Sequence, residues 1–311
     1  MASLLAHRLQ AAGALALAAL GVASCQRGAA SERTVLLNRG SDTMINVAQA
    51  WAEEYAKVAP RVSVEVAGGG SGVGIAALID GTVQIANSSR PMKPAEQEAT
   101  RVSRGAGPVE HVTGYDALVV YVHAKNPVQS MTLHQLRDLF GEGGRITRWS
   151  DFGVRHDACP RDTIIRISRQ SSSGTYDFFR EVALDKHDFK LGTLELKGSK
   201  EVVELVAHTP CAIGYSGMGY ATAGVKMLAL SRDGGPPVVP TAKATLDRSY
   251  PIARPLYMYT VGQPQGETKR YLDWIHSPPG QRIVSAVGYV PLPASETAPL
   301  TAPPSPSEVR P

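Results

Sequence analysis

The chain has 311 residues, of which 43% are hydrophobic and 19% are charged. This composition excludes an intrinsically disordered protein, and the length exceeds what one hydrophobic core usually holds, so two lobes are expected. The net charge of +4 is small and is not clustered along the sequence, which argues against a nucleic-acid partner.

The first 25 residues have the features of an export signal. Arg8 marks a basic segment, and residues 11–22 form an apolar run that is too short to span a bilayer as a stable helix. The run ends in VASC at residues 22–25, which resembles a bacterial lipoprotein processing site and predicts lipidation of Cys25. A plain secretory signal with a chance cysteine is the alternative. A tether at 26–33 would follow, with the protein anchored to a membrane in the periplasm or cell envelope.

Strands and helices alternate in the next part of the chain. The predicted elements are a strand at 34–38, a helix after the turn at 40–43, a strand at 62–66, a short helix at 73–79, a strand at 83–86 and a helix from residue 94. Three strands that alternate with helices predict βαβ units and a largely parallel sheet.

Two long extended segments separate the predicted lobes. The segment at 111–123 leads into a second set of elements, and the segment at 250–261 returns to the first lobe. The second set comprises a helix from residue 132, a strand at 163–168, helices at 176–184 and 202–207, and a strand at 212–216; a helix at 267–276 follows the return. We predict an α/β protein with lobe I at 34–121 plus 255–292, lobe II at 122–254, and a disordered tail rich in Pro, Ser and Thr at 293–311.

Two cysteines besides Cys25 remain, and each precedes a predicted strand. Export favours a disulfide between Cys159 and Cys211, and free thiols are one alternative. A Cys₂His₂ zinc site is another, because His156 and His208 each precede a cysteine by three positions. The disulfide is preferred, and no bound metal is expected.

Turns that carry hydroxyl groups and glycine follow several predicted strands. After the strand at 163–168 comes Arg169, and Ser173, Gly174 and Thr175 then open a helix. The N–H groups of a helix start bind anions, and an arginine adds a planar fork of donors. Similar turns occur at Ser41 and Thr43, at Ser71 and Gly72, and at Ser88, Ser89 and Arg90. One such turn is usually an ordinary helix cap, but several at the carboxyl ends of strands predict an anion held between the lobes.

Two catalytic or cofactor interpretations are weaker. Residues 72–77 fit the G-x-G-x-x-A dinucleotide pattern, but Glu96, at about the distance of a ribose partner, lies on a predicted helix and not at the end of a second strand. The sequence contains no G-x-S-x-G elbow, and no histidine lies beside a candidate serine, so the pair of nucleophile and base that a hydrolase needs is not found.

Taken together, the motifs resemble the phosphate-binding protein of bacterial ABC phosphate importers. They are GSDTM at 40–44, WAEEY at 51–55, GGGSGVGI at 68–75, IANSSR at 85–90, GYDA at 114–117, Arg169 with SGT at 173–175, IGYS at 213–216 and YPI at 250–252. The resemblance spans about residues 34–290 in order. It implies a type II periplasmic-binding-protein fold, in which two α/β lobes, each a mostly parallel sheet flanked by helices, close on phosphate and are joined by two crossover segments.

The resemblance also implies a set of binding residues. By motif position these are Ser41, Thr43 and Ser71 from the first lobe and Arg169, Ser173, Gly174 and Thr175 from the second. One position departs from the best-known family pattern, because Ser89 stands where an aspartate accepts the proton of hydrogen phosphate. Ser89 can still accept a hydrogen bond, and Arg90 next to it would add positive charge. The sequence therefore predicts rejection of sulfate only if Asp42 or a backbone carbonyl supplies the acceptor for the proton of hydrogen phosphate.

The function that the resemblance implies is capture of inorganic phosphate and delivery to an ABC permease by a monomeric, lipid-anchored, extracytoplasmic binding protein. Such a protein performs no chemistry and needs no cofactor. The alternatives are binding of another oxyanion such as sulfate or molybdate, phosphate sensing without transport, and an extracytoplasmic phosphatase.

Overall fold

The computed structural model describes residues 33–297. The predicted signal segment, the lipidation of Cys25, nearly all of the tether and residues 298–311 of the predicted tail lie outside the described residues. Among residues 33–297, no helix has both the length and the apolar character needed to cross a membrane.

Strands and helices alternate through most of the described chain. The strands are β1 Thr34–Gly40, β2 Val62–Ala67, β3 Ile85–Ser88, β4 Pro108–His123, β5 Ser130–Thr132, β6 Ile165–Arg169, β7 Leu194–Leu196, β8 Ala212–Gly217, β9 Val225–Met227, β10 Ala229–Ser231 and β11 Ala253–Val261. The α-helices are α1 Ile45–Val58, α2 Ser71–Ile79, α3 Pro94–Arg104, α4 Leu133–Phe140, α5 Gly174–Val182, α6 Ser199–His208, α7 Ala242–Leu246, α8 Gly266–His276 and α9 Pro278–Ala286. Short 3₁₀ helices lie at Asp42–Met44, Trp149–Phe152, Met218–Tyr220 and Ala294–Glu296.

Within the described residues, nine strands form one mixed sheet in the order β2-β1-β3-β11-β4-β8-β6-β7, with β9 paired to β4. The pairs β1–β3, β6–β8 and β6–β7 are parallel. The middle strand β11 is antiparallel to both β3 and β4, and β4 is antiparallel to β8. We call β1, β2, β3 and β11 with their helices the first part of the fold, and β6, β7 and β8 with theirs the second part. The predicted α/β class is confirmed.

Strand β4 belongs to both parts of the sheet. Residues 108–117 pair with β11, and residues 118–122 pair with β8. From Asp116 to Val122 every residue is buried, because the strand is covered on both faces, and this explains its nearly continuous apolar sequence. The predicted limits of the two lobes remain a prediction, since β4 runs without interruption from one set of partners to the other and residues 35–297 lie in one compact unit.

Helix α1 shows how the apolar pattern places the core. Met44, Val47, Trp51 and Tyr55 recur at helical spacing, and all four are buried in the main hydrophobic core, where the Tyr55 ring packs against Tyr271 of α8. The indole N–H of Trp51 donates to the carbonyl oxygen of Gly280 at 2.8 Å, so the one polar group of this side chain is satisfied. The predicted core position of Trp51 and Tyr55 is confirmed.

Two features near the C-terminal end differ from the sequence-based expectation. Helix α9 was not predicted, because it begins with Pro278 and Pro279, although proline is well suited to the first turn of a helix. The predicted tail begins at residue 293, yet Ala294–Glu296 form a 3₁₀ helix, and the Tyr115 hydroxyl donates to the Glu296 carboxylate at 2.8 Å. Ordered chain therefore continues past the predicted start of the tail.

A disulfide joins Cys159 and Cys211, whose Cα atoms lie 5.0 Å apart. Closing a loop with a sequence separation of 52 residues stabilises the fold by about 4 kcal/mol if the effect is chain entropy. The sulfurs bind each other and are not free to coordinate zinc. The imidazole of His156 hydrogen-bonds the carbonyl of Pro210, and among residues 33–297 no cluster of three or more His, Cys, Asp or Glu residues could hold a metal ion.

Candidate anion-binding site

Four hydroxyl groups from separate turns meet near the middle of the sheet. Thr43 Oγ1 lies 2.7 Å from Thr175 Oγ1, Ser71 Oγ lies 3.4 Å from Ser89 Oγ, and Ser89 Oγ lies 3.5 Å from Thr175 Oγ1. All four side chains are buried. We call Thr43, Ser71, Ser89 and Thr175 the hydroxyl cluster. Three of its members come from the first part of the fold and one from the second, as the repeated turns predict.

The turns of the first part are fixed by backbone contacts. The Ser41 N–H donates to the carbonyl oxygen of Asn87 at 2.9 Å, which ties the end of β1 to the end of β3. Gly40 has a φ of +144°, and a Cβ atom there would lie 2.1 Å from the Asn87 oxygen, so only glycine allows this approach. The hydroxyl of Ser41 is buried without a hydrogen-bond partner among the described residues, whereas that of Ser71 accepts from the Ser89 N–H at 3.1 Å.

The turn of the second part approaches those of the first very closely. Ser173 is the N-cap of α5, and its hydroxyl accepts from the Thr175 N–H at 3.2 Å. A Cβ atom built on Gly174 would lie 2.4 Å from Ser71 Oγ and 2.9 Å from Ser89 Oγ. Ser173 therefore serves the helix, as an ordinary cap does, while the bare Cα of Gly174 lets the two parts meet.

Arg169 lies where both parts contribute to one polar network. Its guanidinium is fully buried and donates to Asp42 Oδ2 at 3.0 Å, to Ser199 Oγ at 2.7 Å and to the Lys197 carbonyl at 2.6 Å. Asp42 Oδ1 also accepts from the Gly69 N–H at 2.9 Å. Burial lowers the pKa of Arg169 and the Asp42 carboxylate opposes this, so the guanidinium stays charged.

A second guanidinium, which the sequence analysis did not identify, reaches the hydroxyl cluster from β11. Arg254 Nη2 lies 3.1 Å from Thr175 Oγ1 and 3.5 Å from Thr43 Oγ1, and Nη1 donates to the Ser89 carbonyl at 3.1 Å. Asp116 Oδ2 accepts from Nε at 3.0 Å and from Nη2 at 2.8 Å. Arg254 and Asp116 are directly opposed in the β11–β4 ladder. In the sequence, the signal for this pair is Arg254 inside the apolar strand β11 and Asp116 directly before the apolar run at 117–122 of β4.

Arg90, which was predicted to bind the anion, points to the rim instead. Its guanidinium donates to both carboxylate oxygens of Glu96, at 2.8 and 2.7 Å, and its Nε lies 2.9 Å from Asp177 Oδ2. Burial opposes ionisation of Glu96, but the hydrogen bonds from Arg90 and the Lys93 N–H outweigh burial and lower its pKa. Because two carboxylates already neutralise Arg90, the prediction of a direct ligand is not supported by this geometry.

The Arg90 network also crosses between the two parts. Asp177 lies on α5, and Lys93 Nζ, which precedes α3, lies 3.0 Å from its carboxylate. We call Arg90, Lys93, Glu96 and Asp177 the rim ion-pair network. It joins the site helix of the second part to the loop after β3.

The site collects hydroxyl and guanidinium groups from both parts of one mixed sheet. This arrangement is typical of a protein of the periplasmic-binding-protein class. A sequence model described as a PBP superfamily domain matches residues 27–279.

Known proteins narrow this class. The phosphate-binding protein PstS of Pseudomonas aeruginosa is 35% identical over 82% of this chain and 82% of its own, and PstS of Bacillus subtilis is 32% identical over 81% of this chain and 79% of its own. A crystal structure from Clostridium perfringens, described as a phosphate ABC transporter substrate-binding protein with bound phosphate, covers 84% of this chain and 100% of its own with a TM-score of 0.73 and 28% identity. The chain belongs to the PstS family of phosphate-binding proteins, and the predicted family and fold are confirmed.

Proposed function

We propose that this protein captures inorganic phosphate between the two parts of its fold and delivers it to an ABC permease, held at a membrane by a lipid on Cys25. The observation that carries the proposal is the convergence of the hydroxyl cluster with Arg254 in one buried region, together with buried Arg169, which binds Asp42 next to Thr43. The relatives are named as binding proteins and transport components, not as enzymes, which supports binding without chemistry.

Phosphate would replace contacts that the hydroxyl groups now make with one another. Thr43 Oγ1 and Thr175 Oγ1 lie 2.7 Å apart, so an anion can enter between them only if the two parts separate. The parts are linked by β4 and by the chain that leads into β11, and motion about these links would open the site. An anion that touches both parts stabilises the arrangement in which they meet, so binding shifts the population toward closure.

The energetics require several donors. Moving a phosphate ion out of water costs several kcal/mol even after relaxation of the protein. A hydrogen bond to a charged group returns about 1.5–3 kcal/mol, and a helix N-terminus contributes about 0.3–2 kcal/mol. One helix end is therefore insufficient. The binding free energy must therefore come from the hydroxyl cluster, the start of α5 and a buried guanidinium acting together.

Calorimetric titration of the mature protein with phosphate tests the proposal. We expect a dissociation constant of about 1 μM or tighter, which corresponds to about 8 kcal/mol of binding free energy. Sulfate and molybdate are titrated alongside, since Ser89 presents a hydroxyl and not a carboxylate to the cluster. Tighter binding of either of these anions would favour the alternative oxyanion, and no phosphate binding at millimolar concentration would end the proposal.

The rim ion-pair network provides a kinetic prediction. Asp177→Asn is expected to speed phosphate release about fivefold, because partly exposed ion pairs contribute about 1 kcal/mol. The Asp177 side chain is 25% exposed and contacts both Arg90 and Lys93 across the two parts. A pulse–chase measurement with radiolabelled phosphate gives the release rate.

The matched control is Asp188→Asn. Asp188 pairs with Arg180 inside the second part, and its side chain is 70% exposed. We expect no change in release for this variant. If both variants release phosphate at the wild-type rate, the network does not hold the two parts together.

A further inference from the structure

We propose that Arg254 is an anion-contacting residue, positioned by Asp116, and that it gives the site a preference for tetrahedral oxyanions with two negative charges. The inference rests on the proposed function and specifies the ligand class of the same site. Arg254 belongs to β11 and to none of the predicted binding turns, so the motif-based set of ligands does not contain it.

The contacts of Arg254 leave one N–H of its guanidinium directed toward the expected position of the anion. Nη2 carries two hydrogens, yet three acceptor oxygens lie within 3.5 Å, on Asp116, Thr175 and Thr43. The two threonine oxygens are those that must part for an anion to enter. When they separate, Nη2 keeps its bond to Asp116, and its remaining hydrogen faces the space between the threonines.

The cost of burying this pair supports a role in binding. Side-chain exposure is 1% for Arg254 and 0% for Asp116. A buried ion pair is often no more stabilising than apolar residues of similar volume, so stability alone is a weak reason for it here. Asp116 also accepts from the Met218 N–H at 2.9 Å, so this carboxylate is fixed from two sides and fixes Arg254 in turn.

Two like charges flank the same region. Arg254 is close enough to Arg169 to disfavour the charged form of that residue, although both are buried. An anion with two charges would relieve this repulsion more than an anion with one. The carboxylates of Asp42 and Asp116 each accept hydrogen bonds from an arginine and from a backbone N–H. Neither is therefore an unpaired carboxylate that would favour a protonated ligand by accepting its proton in a hydrogen bond.

The pH range for a test is set by the groups around Arg254. Those that interact with it are Asp116 on β4, Arg169 on β6, Tyr257 on β11 and Tyr289 after α9. Burial raises the pKa of Tyr257 to about 12 and that of Tyr289 well above its ordinary value. Both phenols therefore stay neutral while phosphate passes through its second ionisation.

The experiment compares the wild type with Asp116→Asn/Arg254→Gln, a double variant that removes both charges and leaves no buried charge unpaired. Phosphate affinity is measured by calorimetry at several pH values across the second ionisation, and sulfate serves as a ligand whose own charge does not change in that range. We expect wild-type phosphate affinity to rise with pH. We expect the double variant to lose about tenfold in affinity at the high end, with a flatter pH dependence.

A second variant keeps the test decisive if the double variant does not fold. Arg254→Lys retains the charge and loses the planar fork, so its affinity should fall about threefold while the pH slope is kept. Thermal unfolding reports folding for each protein. Wild-type affinity and slope in both variants would overturn the role of Arg254 while leaving phosphate binding intact. A wild type that binds neither anion would overturn this inference and the proposed function together.

Discussion

Replacement of Arg169 by alanine is expected to lower phosphate affinity by about 1,000-fold, since truncating one partner of a buried charge pair costs about 2–5 kcal/mol in binding. Two effects combine at this position. The variant loses a guanidinium next to the ligand position, and it leaves the Asp42 carboxylate, now bound at 3.0 Å, without its cation. An unpaired carboxylate beside the hydroxyl cluster would repel the anion. Calorimetric titration with phosphate measures the loss.

The same change also affects folding, so the design must separate stability from binding. Breaking a buried pair from one side costs about 3–5 kcal/mol of folding free energy. Asp42→Asn/Arg169→Ala removes the stranded carboxylate, and we expect it to regain most of the stability while its affinity stays low. Arg166→Ala is the control, because Arg166 lies on the same strand and its guanidinium Nε has no hydrogen-bond partner among the described residues. Wild-type affinity in Arg169→Ala would contradict the assignment.

The sequence predicts the turns of the site well because their signals are local. Each turn combines the end of a strand, a hydroxyl residue and a glycine or helix start, and these lie within a few positions of one another. Thr43, Ser71, Ser89 and Thr175 were all proposed in this way, and the structure brings their hydroxyls together. Ser173 was proposed on the same signal; its hydroxyl accepts from the Thr175 N–H at the start of α5, and its role as a ligand stays a prediction.

The partners of the charged residues could not be predicted in this way, because charge pairing depends on distant parts of the chain. Arg90 follows a strand next to Ser89, as a ligand would, but Asp177, which is 87 positions away, and Glu96 on the next helix engage it. Arg254 and Asp116 are 138 positions apart and meet only through the register of β11 and β4. A single sequence gives the apolar character of both strands and not which residues they oppose.

The same limit applies to the sheet. Alternation of strands and helices correctly predicts parallel pairing in β1–β3 and β6–β8. It does not reveal that β4 and β11, predicted as two separate crossings, pair with each other along nine positions of β11. The short strands β5, β7, β9 and β10 were also missed, since three residues carry too little periodicity to be recognised.

Gly174→Ala is expected to weaken phosphate binding by about 100-fold, because overpacking a close contact costs about 1–3 kcal/mol. The added methyl group would lie 2.4 Å from Ser71 Oγ and 2.9 Å from Ser71 Cβ, so the second part can no longer approach the first. Helix α5 itself should not suffer, since alanine is a better helix former than glycine. Affinity is measured by calorimetry, and small-angle scattering with and without phosphate reports whether the two parts still close.

The control for this steric argument is Gly107→Ala. A methyl group added at Gly107 would meet no atom within 4 Å, and the backbone there is not left-handed, so an alanine should leave both affinity and scattering unchanged. The pair of variants adds the same methyl group to the same residue type and differs only in what that group meets. If Gly174→Ala binds phosphate as tightly as Gly107→Ala and compacts to the same degree, close approach of α5 to Ser71 is not part of binding. The two parts would then close on phosphate without the direct contact between Gly174 and Ser71.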